Sequence, residues 1–76
     1  MKIYYMRDNH TFLPLPLDAG AAESLIRQEF DSGYTGGMLC SKDPRMKEVV
    51  HANGSKHGEE FFADARKWIE KAIQLV

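Results

Sequence analysis

The residues best equipped for chemistry crowd one stretch, V-V-H-A-N-G-S-K-H-G-E-E-F-F, residues 49–62. His51, Ser55, Lys56 and His57 gather there around two glycines, just ahead of an amphipathic run. Three kinds of chemistry could use such a set. Backbone N–H groups at a helix N-terminus, with Lys56 and the histidines beside them, suit a phosphate or another anion. Glu59 and Glu60 oppose that use, because they already fill the positive end of the helix dipole. His51 and His57 with Cys40, His10 or Asp43 are potential metal ligands. Zinc sites, however, draw on close pairs such as C-x-x-C or H-x-x-x-H, and none occurs here. Cys40 beside a histidine could make a nucleophile pair. No motif supplies its base, its oxyanion donors or an orienting carboxylate, so the expectation is a buried structural thiol. No catalytic residue, metal or cofactor is therefore assigned.

The structural reading of the same corner accounts for all of it. Asn53-Gly54 turns, Ser55 or Gly58 caps a helix, and the two glutamates complement the dipole. The helix it launches is the clearest element in the chain. Phe61, Phe62, Ala65, Trp68, Ile69, Ala72, Ile73 and Val76 form one stripe, with Glu60, Asp64, Lys67, Glu70 and Lys71 away from it.

The elements before it follow from spacing and turn chemistry. K-I-Y-Y-M-R, residues 2–7, is aromatic and strand-prone. D-N-H-T turns, and T-F-L-P-L-P-L returns as the second strand of a hairpin. Pro14 and Pro16 place that second strand at a sheet edge, since proline cannot donate to a ladder. Asp18 is a helix N-cap, Ala22, Leu25, Ile26 and Phe30 form an apolar stripe, and Gly33 ends the helix. G-G-M-L-C, residues 36–40, is a third strand. Residues 43–54 read two ways. Asp43-Pro44 and the spacing of Met46, Val49 and Val50 suit a helix. The adjacent β-branched Val49 and Val50 suit a strand returning along the third. The expected fold is α+β: a small antiparallel sheet of three to four strands with two amphipathic helices on one face, in the order ββαββα. The alternative is ββαβαα, with residues 44–52 helical.

Gly54-Ser55-Lys56 before a helix with Ala63, Ala65 and Ala72 on it resembles the start of the last helix of double-stranded-RNA-binding domains. That resemblance implies lysines packed against phosphates. Here His57-Gly58-Glu59-Glu60 stands where most of the lysine cluster would be, and the chain opens with strands rather than with that family's first helix.

Composition limits the function classes. The 76 residues make one domain with a thin core. One cysteine allows no internal disulfide, no apolar run approaches a membrane span, and no signal-peptide h-region follows Met1-Lys2. A cytoplasmic protein is expected. Net charge is −1, with the basic excess confined to residues 42–58, where Lys42, Arg45, Lys47 and Lys56 outnumber Asp43 and Glu48. Two functions emerge. The first is a small non-enzymatic binding or regulatory module acting through protein contacts, with self-association as a homodimer one form of it. Its interface residues would be Tyr4, Tyr5, Phe12, Pro14 and Pro16. The second is a weak nucleic-acid or anion binder using Lys42, Arg45, Lys47, His51, Ser55, Lys56 and His57, its affinity falling with salt.

Overall fold

Alternating side chains along the first strand set the layers. The computed structural model describes residues 1–7, 10–52 and 58–76. In β1 (Ile3–Met6), Ile3 and Tyr5 are buried, and Tyr4 and Met6 lie half-exposed on the other side. β2 (Phe12–Leu15) pairs antiparallel with β1, Tyr4 opposite Pro14 and Met6 opposite Phe12. The turn between them uses His10 at φ 66°, with its N–H donating to the Arg7 carbonyl. β3 (Met38–Cys40) pairs on the other flank of β1, Tyr4 opposite Cys40. β4 (Val50–His51) pairs antiparallel with β3. The spatial order is β2-β1-β3-β4, so β2 lies at an edge, where its proline belongs.

Two helices complete the order ββαββα. α1 (Ala19–Asp31) is capped by Asp18, whose Oδ1 accepts from the Ala21 N–H at 2.9 Å. It ends where Gly33, at φ 94°, donates its N–H to the Phe30 carbonyl. α2 (Gly58–Gln74) starts from Gly58 at φ 57°. Ser55, the other cap candidate, and the rest of residues 53–57 lie outside the described residues. Both helices cover the face of the sheet that carries Ile3, Tyr5, Leu39 and Ala52. Phe61, Phe62, Ala65, Trp68, Ile69 and Ala72 of α2 are buried, Ile73 is partly so, and Val76 is exposed beyond the helix end. Phe30 stacks on Phe61 at 5.3 Å and tilts against Phe62 at 5.1 Å, joining the helices. Such pairs add about 0.5–1.5 kcal/mol each beyond the area they bury.

Residues 43–49 are neither helix nor strand. Asp43-Pro44 starts a single turn, closed by the Met46 N–H to the Asp43 carbonyl. A helix would next need the Ala52 N–H to reach the Glu48 carbonyl. Both groups are taken elsewhere. Ala52 donates to the Gly37 carbonyl at 2.8 Å, and Glu48 accepts from Trp68 Nε1 at 2.7 Å. The return strand is therefore shorter than the six-residue run Met46–His51 and is confined to its last two residues. Met46 turns inward, while Lys47, Glu48 and Val49 face solvent.

The loop after α1 is tied by polar contacts that the apolar pattern hides. Glu29 is 9% exposed and accepts two hydrogen bonds from Arg7, at 2.6 and 2.9 Å. The guanidinium lies 3.9 Å from the centre of the Tyr34 ring. Tyr5 donates its hydroxyl proton to the Tyr34 carbonyl, and its oxygen accepts from the Gly37 N–H. Gly37 lies against the hydroxyl end of Tyr5. A Cβ there would collide with the Met6 carbonyl oxygen and come within 2.8 Å of Tyr5 Cζ.

Gly37→Ala should cost about 3 kcal/mol, since backbone cannot step aside cheaply. Gly33→Ala, which meets open space but carries a positive φ, should cost about 1 kcal/mol. Trp68→Phe should cost about 1 kcal/mol by stranding the Glu48 carbonyl. Urea-denaturation midpoints rank the three.

Candidate functional site: the open face of the sheet

A sheet with both helices on one side leaves its other side uncovered. Register decides which residues stand there, because directly opposed residues share a face. Pro14, Tyr4 and Cys40 form one row across β2, β1 and β3. Phe12, Met6, Met38 and His51 form the next, reaching β4. Apart from His51 at the margin, neither row contains an ionisable side chain other than the Tyr4 phenol and the Cys40 thiol. Phe12 is 49% exposed, Pro14 is exposed, and Tyr4, Met6, Met38 and Cys40 are half-buried. Tyr4 and Phe12 meet edge to face, with centroids 5.6 Å apart and planes at 77°. Burial pushes the Cys40 thiol pKa up, and Lys42 pulls it partly back. A cavity of about 230 Å³ opens at the Lys2 end, lined by Met1, Lys2, Ile3, Tyr4, Pro14 and Leu15. It is smaller than the roughly 300–1,000 Å³ of small-molecule sites.

The residues singled out as interface candidates divide accordingly. Tyr4, Phe12 and Pro14 stand on the open face. Pro16 is exposed just past the end of β2. Tyr5 is a correction: it is fully buried between sheet and helices, because its position in the alternation opposes Tyr4. Met6, Met38 and Cys40 were not foreseen as surface residues. Their signal lay in the register, which puts them beside Tyr4 and which no single strand reveals. The other routes to a partner are narrower. The apolar stripe of α2 is covered, and β4 offers an edge of two residues.

The basic candidates among the described residues, Lys42, Arg45, Lys47 and His51, stand in separate surroundings. Arg45 donates from Nε and Nη2 to the two oxygens of Asp43, at 3.0 and 2.9 Å, and from Nη1 to the Leu75 carbonyl at 3.1 Å. It serves as a clasp between the turn and the end of α2. His51 stands exposed on the sheet face opposite Met38, and Lys42 and Lys47 are exposed. Ser55, Lys56 and His57 lie outside the described residues. Among the described residues no three His, Cys, Asp or Glu side chains converge as ligands for a metal ion, and no helix is long and apolar enough to cross a membrane.

The Arg45 side chain and then its backbone N–H hold the Asp43 carboxyl down at about 2, from an ordinary 3.8. A depressed carboxylate pKa stabilises the fold fully above the unfolded value, and that contribution fades as pH falls toward 2. Arg45→Ala should raise the Asp43 midpoint only part of the way toward its ordinary value, because the backbone N–H at position 45 still donates to the carboxylate, and it should weaken this acid-side dependence, both read by carboxyl-carbon NMR.

Comparison with protein families, curated proteins and solved structures finds no match to this chain.

Proposed function

We propose that this chain is a small protein-docking module whose docking surface is the open face of its sheet. The observation that supports this reading most is the pair of adjoining apolar rows led by Phe12, held flat by the sheet and left uncovered by the helices. Adjoining apolar residues on an open face favour an interaction surface more than scattered single ones, which are ordinary. The partner this surface fits is an uncharged, apolar layer of protein. Tyr4 and Met6 on the inner strand β1, with Phe12 beside them on the edge strand β2, are the anchors, being the large side chains on which interface energy concentrates. Met6 and Met38 add adaptable contact. Lys2, just before β1, and Lys42, two residues past β3, are exposed beyond one end of the face and make a polar rim.

A photo-crosslinking residue at position 12 tests this in cells. Protein adducts should form there, and Met6→Lys in the same chain should remove most of them. The same probe at Lys67, on the solvent side of α2, should give far fewer. Equal yields at the two positions would overturn the reading.

A further inference from the structure

We infer that the occupant of the open sheet face is a second copy of this chain, stacked face to face about a two-fold axis; this rests on the docking reading above.

An isologous interface sets one patch against its own copy, so a charge near the two-fold axis meets its like. The centre of this patch has none. Tyr4, Met6, Phe12, Pro14, Met38 and Cys40 are all uncharged at neutral pH. Edge pairing, the rival way for a strand to recruit its copy, is blunted at β2. The Arg7 N–H donates to the Thr11 carbonyl, which makes Tyr5–Leu13 and Ile3–Leu15 the hydrogen-bonded pairs of the ladder. Pro14, opposite Tyr4, therefore turns its backbone nitrogen outward, and it has no proton to offer there.

Charge also selects the orientation. Lys2, just before β1, and Lys42, two residues past β3, are exposed beyond the same end of the face. An axis lying in the interface across the strands keeps these lysines at opposite ends of the dimer, whereas an axis along the strands would bring them together. With the crossing axis between the two rows, Met6 faces Tyr4 of the second copy, Met38 faces its Cys40, and Phe12 faces its Pro14. Sulfur meets aromatic edge and ring meets proline, both favourable matches. The sheets then pack about 10 Å apart with their strands within about 30° of alignment.

The area sets the strength. Four strands about 4.8 Å apart, a few residues deep, span roughly 200 Å² in projection, well short of the ~800 Å² per partner in a standard interface. The dimer is of the weak, concentration-dependent class.

Sedimentation equilibrium of the full chain from about 10 μM to about 1 mM reads this directly. The weight-average mass should climb from monomer toward dimer for the native chain and for Val76→Lys, an exposed apolar control. It should stay monomeric for Met6→Lys and for Met38→Lys. Backbone NMR shifts on dilution should concentrate at Tyr4, Met6, Met38 and Cys40, and the dispersed spectra of the lysine variants report that they remain folded. A monomer throughout, or a dimer that both lysine variants leave intact, overturns the inference. If the chain is monomeric while position 12 still crosslinks to a different protein, the self-stacking inference fails and the docking reading stands. If neither assembly nor crosslinking occurs, both fall.

Discussion

Two helices can cover one side of a four-stranded sheet and no more. That limit governs this molecule. The apolar stripes of α1 and α2 must both be buried, and they can be buried together only on the face that carries Ile3, Tyr5 and Leu39. Once they are, the other face meets solvent whatever its composition. In a two-layer protein that outer face is usually polar, giving clean alternation along each strand. Here the alternation runs from apolar to apolar. Tyr4 and Met6 flank Tyr5, and Met38 and Cys40 flank Leu39. The positions turned away from the helices are thus as apolar as a second core layer.

The sheet is kept in place by backbone groups that find tertiary partners. Trp68 and Gly37 divide between them the two groups that a helix at residues 48–52 would have joined. Tyr5 does double work, its ring in the core and its hydroxyl bridging the Tyr34 carbonyl and the Gly37 N–H. Glu29 reaches the Arg7 guanidinium from α1, which locks the end of β1 to the helix layer. A partly buried, doubly hydrogen-bonded ion pair of this sort gives little net stability, but it leaves few alternative geometries once formed. Together these contacts tie the sheet to the helix layer and to the loop after α1.

Among the described residues, the side chains that residue type alone singled out have other tasks. Arg45 is occupied with Asp43 and the end of α2, and His51 sits at the margin of an apolar sheet face. The features that support a function are instead ordinary core-type residues in a place where no core exists. Their meaning comes from what lies opposite them and from what fails to cover them.

Much of the architecture was legible in local pattern. Asp18 and Gly33 bound a helix because capping and positive φ are properties of single residues and their near neighbours. The stripe of α2 follows from a period of 3.6 residues, and Pro14 assigns its strand to an edge because it lacks a proton. Residues 43–52 were not legible. Their helix and strand signals are nearly balanced, and hydrogen bonds from Trp68, twenty residues away, and to Gly37 decide between them. Glu29 falls three residues after Ile26 on the apolar stripe, yet only Arg7 on another element explains why a carboxylate can be buried there. The open face is the extreme case. Period-two alternation tells that Tyr4 and Tyr5 part company, but which of them goes inward depends on where two helices land. The sequence by itself determined every element except the return strand β4, through local sterics and periodicity. The tertiary structure alone decided which apolar surface stays in water, because burial belongs to the packed layers and to no single strand.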